Sequence, residues 1–237
     1  MWWQRIAARV RSRVNHTVLH AAFARSMDVV VALVLLAMFS PVVLVVGVVI
    51  AVSYGRPILF VQRRVGRGGA LFDLFKFRTM CVDAPASGSA VTIGIDRRIT
   101  HVGHVLRRYK LDELPQFFNV LRGDMSLIGP RPEVEKYVAN YTEEQRRVLD
   151  VRPGITDPAS LYYRDEAALL ATFTDPERAY VEVVLPHKLS MSIEYLRTRT
   201  VLSDLCLLVR TAGEMLRPSA AKEASTWRRA ATLRERV

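Results

Sequence analysis

An uncharged hydrophobic segment runs from Val29 to Val52. A straight helix needs about 20 apolar residues to cross the hydrocarbon layer of a membrane, so this segment is long enough to span one. The pair Ser40-Pro41 stands near its middle. Because proline cannot donate a backbone hydrogen bond and crowds the preceding turn, we predict a helix-break-helix unit. The Ser40 hydroxyl would satisfy a backbone group that no water can reach.

Positive charge flanks this segment on both sides, and basic flanks tend to stay on the cytoplasmic side of a membrane. A hairpin that enters one leaflet and returns keeps both flanks on that side, whereas a single span kinked at the proline separates them. We predict the re-entrant hairpin and keep the single span as the alternative. The later hydrophobic run, Val201 to Leu216, is interrupted by charged residues and offers no second span. The flanking arginines are Arg5, Arg9, Arg11, Arg13 and Arg25 before the segment and Arg56, Arg63, Arg64 and Arg67 after it.

The 237-residue chain carries a formal net charge of +11. This excess predicts an anionic partner, and nucleic acid, anionic lipid and phosphorylated substrates are the candidates. Membrane residence explains part of it, since each lysine or arginine near an anionic leaflet contributes about 1 kcal/mol of attraction. A membrane-attached basic scaffold or nucleic-acid-binding protein without catalysis is the alternative function. Cys81 and Cys206 are isolated, which favours reduced thiols over a disulfide.

The sequence divides into four parts: a basic leader (1–26), the membrane hairpin (27–56), a cytosolic domain with membrane-surface helices (57–217) and a basic tail (218–237). Alternating residues around a glycine-rich turn predict a β-hairpin between Ile58 and Arg78. The stretch 83–90 is predicted to be a loop. Apolar residues at helical spacing predict helices from Ile99 onward, with a boundary before Pro115. The predicted fold class is α/β, mainly helical with a small hairpin, in a monotopic membrane protein.

Two adjacent carboxylates, Asp112 and Glu113, lie at this helix boundary in a basic stretch. Nearby cations and a helix N-terminus favour the ionised form of a carboxylate, which attack on a phosphorus centre requires. A magnesium ion shared by a carboxylate and a diphosphate would reduce the repulsion between the two anions. The alternative is structural: Asp112 caps a helix and Glu113 pairs with an arginine. The surrounding basic residues are Arg107, Arg108, Lys110, Arg122 and Arg131.

Two further patterns favour structural roles. His101 and His104 are one helical turn apart, but no third ligand accompanies them in the sequence, so we predict a surface or packing role. Gly66, Gly68 and Gly69 precede a strand and lack the lysine of a P-loop. They therefore indicate a hairpin turn and not a phosphate site.

Four stretches of the chain together resemble the bacterial sugar transferase family, the small monotopic phosphoglycosyl transferases. They follow in order from about Met27 to Thr156, and their combination is far more specific than any one of them. The stretches are Phe39-Ser40-Pro41, Lys76-Phe77-Arg78-Thr79-Met80, LDELPQFFNVLRGDMSLIGPRP from Leu111 to Pro132, and VRPGIT from Val151 to Thr156.

The resemblance implies an enzyme that moves a sugar 1-phosphate from a UDP-sugar onto polyprenol phosphate and releases UMP, in a ping-pong reaction with magnesium (Mg2+). Asp112 matches the family's nucleophile, which carries the phosphosugar covalently, and Glu113 matches its partner; both are implied metal ligands. Ser40-Pro41 matches the helix break of the membrane anchor. The basic positions implied to surround the phosphates are Lys76, Arg78, Arg107, Arg131 and Arg152.

A location and partners are implied as well. The enzyme would lie on the cytoplasmic face of a bacterial inner membrane, contact membrane lipids and begin a lipid-linked glycan such as exopolysaccharide, capsule or O-antigen. The resemblance implies no nucleic acid and is compatible with a homo-oligomer. Larger relatives place several spans before this module, so we expect this chain to be the catalytic unit by itself.

One stretch departs from the family. Many members continue the RPGIT motif with a Gly-Trp-Ala-Gln-type sequence, whereas this chain has Asp157-Pro158-Ala159-Ser160-Leu161-Tyr162. We expect this loop to lie toward the sugar donor and to bear on the identity of the sugar.

Overall fold

The computed structural model describes residues 2–82 and 96–215, with the side chains of residues 24–82 and 96–214. The predicted loop at 83–90 and the basic tail at 218–237 lie outside the described residues. The described part is mostly helical with two small sheets, and the predicted hairpin is one of them. The helices are α1 (Trp2–Tyr54), α2 (His101–Arg108), α3 (Gln116–Arg122), α4 (Glu135–Val138), α5 (Glu143–Arg146), α6 (Pro158–Tyr162), α7 (Glu166–Leu170), α8 (Pro176–Ala179), α9 (Leu185–Thr198) and α10 (Val201–Met215). The strands are β1 (Leu59–Val65), β2 (Leu71–Phe77), β3 (Ser126–Ile128) and β4 (Gly154–Thr156).

The hydrophobic segment lies in one long helix, α1, which continues through Pro41. The helical pattern therefore continues across the predicted interruption at Ser40-Pro41, and the re-entrant turn there stays a prediction. Proline deprives the carbonyl of Ala37, four residues earlier, of its usual donor. The Ser40 hydroxyl donates to that same carbonyl at 2.8 Å. The predicted role of Ser40 is thus confirmed, and the substitute bond explains how the helix continues past the proline.

The start of the apolar segment is held by the domain that follows it. The guanidinium of Arg25 donates to the carbonyl oxygen of Val120 at 2.6 Å, near the end of α3. The carboxylate of Asp28 accepts a hydrogen bond from the backbone N–H of Leu127 in β3, at 2.9 Å. These contacts join α1 to α3 and β3 before the apolar segment begins.

The end of the apolar segment is held by the same domain. The guanidinium of Arg78, directly after β2, donates to the carbonyl oxygens of Tyr54 and Gly55 at 2.7 Å each. The last carbonyls of a helix have no partner inside the helix, so Arg78 supplies one at the end of α1. Both ends of the apolar segment therefore contact one folded domain.

The helix α1 has two faces over its apolar length. Ala32 packs with α3, β3 and α10, while Val46 and Ile50 pack with β2 and α2. Residues Ala24–Tyr54 are long and apolar enough to cross a membrane by length and composition, with a mean hydropathy of 3.0 over their most apolar 18 residues. The opposite face is exposed and aliphatic, comprising Val30, Leu33, Val34, Met38, Leu44, Val45, Val48, Val49 and Val52.

The hairpin of β1 and β2 is antiparallel and packs on α3. The buried side chain of Asn119 fixes this contact, because its amide accepts from the backbone N–H of Phe75 at 3.0 Å and donates to the carbonyl of Asp73 at 2.7 Å. Gly68 and Gly69 adopt positive φ in the turn, which confirms that the glycines form a hairpin turn.

A second, parallel pair of strands was not predicted. β3 pairs with β4, and a Cβ atom on Gly154 would lie 2.0 Å from the nitrogen of Gly129. The two parallel backbones lie so close together here that neither Gly129 nor Gly154 can be replaced without movement. The backbone N–H of Gly154 donates to the carbonyl of Pro130 at 2.9 Å. The Val151–Thr156 motif therefore supports the loop that carries Arg131.

The divergent stretch after β4 forms the start of α6. Asp157 caps this helix by accepting from the backbone N–H of Ser160 at 2.8 Å, and its other oxygen accepts from the Ser192 hydroxyl in α9 at 2.6 Å. The loop that carries Arg131 and the buried Asp157 line one small cavity. The stretch thus has a packing role and lies next to that loop.

The last described helix, α10, has a buried face of mixed polarity and an exposed face that carries apolar residues. Asp204 and Leu207 are buried, and Leu207 packs in the same cluster as Ala32 of α1. Leu202, Leu205 and Val209 are exposed on the other side. The helix therefore packs on the core and also presents an apolar surface.

Candidate active site

The carboxylate pair lies in a 3-10 turn, Leu111–Glu113, between α2 and α3. The predicted helix boundary is confirmed, and Pro115 occupies the N-terminal cap position of α3, so Asp112 is not the cap of that helix. Lys110 precedes the turn in the left-handed conformation, with φ of 57°. This conformation is uncommon outside glycine and marks a position that the surrounding structure enforces.

Glu113 is neutralised by two cations. Its carboxylate accepts from both terminal nitrogens of Arg131, and the ammonium of Lys76 lies 3.6 Å from it. Burial alone would raise the pKa of the Glu113 carboxyl, but the charges of Arg131 and Lys76 outweigh burial and hold that pKa well below its usual range. The structural alternative for Glu113, pairing with an arginine, is correct as a description of its contacts.

Asp112 has the opposite environment. Its side chain is buried, and its Oδ1 atom has no hydrogen-bond partner. Burial, followed by the adjacent charge of Glu113, raises the pKa of Asp112. The expectation that neighbouring cations keep this carboxyl more acidic than usual is therefore wrong, because Arg131 pairs with Glu113 instead. A buried acceptor without a donor is costly, and such a group indicates a place where a ligand binds.

Three cations still act on Asp112. Lys76, Lys110 and Arg107 each lower its pKa, although less than burial and Glu113 raise it. Arg107 lies in the last turn of α2 and donates to the hydroxyl of Thr79 at 2.9 Å. Burial lowers the pKa of Lys76 to about 8, so this ammonium titrates near neutral pH. The site therefore combines a carboxylate with cations whose charge it does not fully neutralise.

Two predicted phosphate contacts bond backbone carbonyls. Arg78 bonds the end of α1 through Nη2, while its Nη1 is buried without a hydrogen-bond partner. Arg152 donates to the carbonyl of Gly123 at 3.0 Å, at the opposite end of α3 from the carboxylate pair. The structure thus brings Lys76, Arg107 and Arg131 to the pair and leaves Arg78 and Arg152 in contacts that hold backbone segments together.

A buried network behind Arg131 was missed in the sequence analysis. Arg64 donates to the carbonyl of Pro132 at 3.0 Å and pairs with Glu133 at 3.4 Å. Tyr180 donates to Glu133, and Lys188 pairs with Glu166 at 2.7 Å. Glu133 directly follows the Arg131-Pro132 motif, which is the one local signal. The distant partners come from the π-helical turn Tyr180–Val184 and from α9, and no sequence pattern connects them.

The candidate metal ligands are the same two carboxylates. Among the described residues, no group of three or more His, Cys, Asp or Glu side chains is close enough to hold a metal ion, and His101 and His104 gain no third ligand there. The unpartnered oxygen of Asp112 fits Mg²⁺, which commonly uses one or two carboxylates together with substrate phosphates. Glu113 fits less well, because Arg131 and Lys76 occupy its oxygens.

Comparison with known proteins places the chain in a family. A model of the bacterial sugar transferase family matches residues 19–218. The chain belongs to this family. An Aeromonas hydrophila protein named UDP-N-acetylgalactosamine-undecaprenyl-phosphate N-acetylgalactosaminephosphotransferase is 41% identical over 150 residues, which are 61% of this chain and 35% of that protein. The chain thus spans about a third of the length of this relative.

Two other relatives are matched over more of their own length. A Caulobacter vibrioides protein named UDP-glucose:undecaprenyl-phosphate glucose-1-phosphate transferase is 35% identical over 197 residues, 81% of this chain and 69% of the relative. A Bacillus subtilis protein named as a putative undecaprenyl-phosphate N-acetylgalactosaminyl 1-phosphate transferase is 42% identical over 128 residues, 54% of this chain and 72% of the relative. These relatives carry names with different sugars.

Proposed function

We propose that this protein is a polyprenol-phosphate phosphoglycosyl transferase, which moves a sugar 1-phosphate from a UDP-sugar to polyprenol phosphate. The observation that carries the proposal is the buried Asp112 carboxylate, which keeps an unpartnered oxygen while its neighbour Glu113 is fully paired. The family membership and the names of the relatives support the same class of reaction.

In the first half-reaction, a carboxylate oxygen of Asp112 attacks the β-phosphorus of the UDP-sugar. The new bond is an acyl phosphate, and the bond that breaks joins the β-phosphorus to the bridging oxygen. That oxygen takes the electron pair and leaves on UMP. Lys76 and Arg107 reduce the charge repulsion between the carboxylate and the diphosphate. Glu113 keeps Lys76 and Arg131 in place through its ion pairs.

In the second half-reaction, a phosphate oxygen of polyprenol phosphate attacks the same phosphorus. The acyl phosphate bond breaks, its electron pair returns to the Asp112 carboxylate, and the product is a polyprenol diphosphate sugar. The Asp112 carboxylate is therefore the nucleophile of the first half-reaction and the leaving group of the second. Mg²⁺ bound to the diphosphate and to Asp112 would supply further charge neutralisation at the phosphorus.

We also propose that α1 is a re-entrant anchor on the cytoplasmic face of a bacterial inner membrane. Were α1 straight, Arg25 and Tyr54 would be about 44 Å apart along the helix axis. Both nevertheless contact one domain, and residues on both sides of Pro41 pack against it. A domain in water cannot follow a helix through the hydrocarbon layer, so an anchor that enters and leaves on one side fits these contacts better than a span.

The experiment that tests the proposed function measures the released nucleotide. Purified protein is incubated with a panel of UDP-sugars, polyprenol phosphate and Mg²⁺, and the expected product is UMP together with an acid-labile adduct on Asp112. Release of UDP would instead indicate a glycosyltransferase that moves the sugar without its phosphate. Asp112→Asn should reduce turnover by at least about 10⁴-fold. Asp150→Asn is the matched control, because Asp150 is exposed and lies in a different turn, Arg147–Asp150.

The rival without catalysis makes different predictions. A basic scaffold or nucleic-acid-binding protein would keep its function in Asp112→Asn, and its binding to polyanions would weaken steeply with salt. The buried pairs of Arg131 and Lys76 with Glu113 argue against that role, because charges used inside the fold do not serve an external polyanion.

A further inference from the structure

One face of the β1–β2 hairpin forms the floor of the candidate site. Cross-strand partners share a face, and the register pairs Phe60 with Lys76. Residues two apart in a strand also share a face, so Gln62 and Arg64 lie on this side as well. Lys76 pairs with Glu113 above the floor, and Arg64 bonds the loop that carries Arg131.

This floor places a cation and an exposed apolar ring side by side, at the end of the hairpin away from its turn. The side chain of Lys76 is 20% exposed and faces a carboxylate. Phe60, directly opposite Lys76 in the strand pair, is 46% exposed. The cation suits a phosphate and the exposed phenyl ring suits an apolar group, so the pair matches an amphiphile.

The end of the hairpin that carries Phe60 adjoins the membrane anchor. Ile58, two residues before Phe60, packs with Val46 and Ile50 of α1. The carbonyl of Ile58 accepts from the backbone N–H of Arg78, whose side chain bonds the end of α1. Phe60 therefore lies between the end of the anchor and the carboxylate pair, where a lipid substrate would enter the site.

We propose that Phe60 contacts the first isoprene units of the lipid acceptor and guides its phosphate toward Lys76 and Asp112. The inference rests on the proposed function and adds a binding contact for the acceptor. A lipid is favoured over a nucleobase as the occupant because the ring is continuous with the anchor, and because its cross-strand neighbour Lys76 complements the phosphate of the same molecule.

The test compares Phe60→Ala with Val61→Ala. Val61 is 49% exposed, next in the chain and on the opposite face of β1, so it is a matched control. Binding of farnesyl phosphate is measured in detergent solution by equilibrium dialysis. We expect Phe60→Ala to raise Kd about tenfold, equivalent to about 1.4 kcal/mol, and Val61→Ala to change it less than twofold. Inorganic phosphate, the headgroup alone, should bind equally to both variants and to the unaltered protein.

A second measurement separates acceptor from donor. The rate of UMP release in a single turnover without acceptor should change less than twofold in Phe60→Ala. The KM for the acceptor should rise by the same factor as the Kd. Phe60→Leu, which keeps an apolar group, should recover most of the loss.

Three results would overturn the proposal. They are unchanged farnesyl phosphate binding in Phe60→Ala, equal losses in Phe60→Ala and Val61→Ala that indicate general contact with detergent or lipid, and slower UMP release without acceptor, which would place the ring against the donor. The proposed function fails separately, if the unaltered protein releases no UMP from any UDP-sugar. The binding assay decides on Phe60 in that case too.

Discussion

At the residue level, two neighbouring carboxylates receive opposite environments. Glu113 has Arg131 and Lys76 as partners and stays ionised, whereas Asp112 is buried with an unpartnered oxygen. Burial and the charge of Glu113 raise the pKa of Asp112. Groups whose environments push their pKa values apart commonly divide the roles in a catalytic site. Here the poorly solvated carboxylate suits the nucleophile, and the paired one suits the positioning of cations.

Asp112→Asn should increase stability while it abolishes turnover. A carboxyl whose pKa is raised in the folded state must keep its charge in a buried position at neutral pH, and this lowers the free energy of unfolding relative to acid conditions. The amide carries no charge, so we expect a higher Tm at pH 7 and a difference that shrinks as the pH falls through the raised pKa. Thermal unfolding in detergent across pH measures this. A lower Tm at pH 7 would contradict the assigned environment.

The pH dependence of the donor reaction should show two limbs. As the pH is lowered, kcat/KM for the UDP-sugar should decrease at a pH above 3.8, the ordinary pKa of an aspartate, because protonated Asp112 cannot attack. On the basic side, kcat/KM should fall from about pH 8, where Lys76 loses its charge. In Lys76→Arg, which stays charged, the basic limb should move to higher pH. An unchanged basic limb in that variant would show that another group titrates.

At the level of elements, α1 shows how a helix continues through a proline in apolar surroundings. The hydroxyl of Ser40 replaces the donor that Pro41 removes from the carbonyl of Ala37. Hydrogen-bond replacement explains why the two residues occur together. The close parallel pairing of β3 and β4 also depends on particular residues. Gly129 and Gly154 permit the backbone contact that supports the Arg131 loop.

A double-mutant cycle tests the Ser40-Pro41 pair. Ser40→Ala alone should cost about 1–3 kcal/mol, because it leaves the Ala37 carbonyl without a donor. In a Pro41→Ala background the backbone N–H returns, and the same Ser40→Ala change should cost close to nothing. Thermal unfolding in detergent gives both values, and Ser53→Ala in an exposed position is the control. Equal costs in both backgrounds would show that Ser40 and Pro41 contribute to stability independently.

At the level of the whole molecule, the proposed re-entrant anchor predicts that the N-terminal residues and the domain lie on one side of the membrane. We expect Gln4→Cys, in a Cys81→Ser and Cys206→Ser background, to react with an impermeant maleimide from the same side as native Cys81 does alone. Inside-out and right-side-out vesicles distinguish the two sides. Labelling of Gln4→Cys and Cys81 from opposite sides would establish a single span. Pro41→Leu should shift the population toward that span.

Several features follow from local pattern and were predictable. The apolar segment, the Ser40 hydrogen bond, the β1–β2 hairpin and the helix boundary at Pro115 each depend on residues within one or two turns of each other. The family resemblance implies that Lys76, Arg107 and Arg131 surround the phosphates, which stays a prediction; the structure places the three cations beside the carboxylate pair. The Ser40 hydrogen bond was predicted, but the continuation of the helical pattern through Pro41 was not, because a proline inside a helix usually interrupts it.

The sequence by itself determined the membrane segment, the mainly helical architecture and the position of the carboxylate pair, because spacing and composition act over short distances. Only the tertiary structure decided which carboxylate receives the arginine, and hence the direction in which the pKa of each one moves. It also decided that Arg78 and Arg152 bond backbone carbonyls, and that Glu133 and Lys188 support the site from behind. Burial and pairing depend on residues distant in the chain, and no local pattern encodes them.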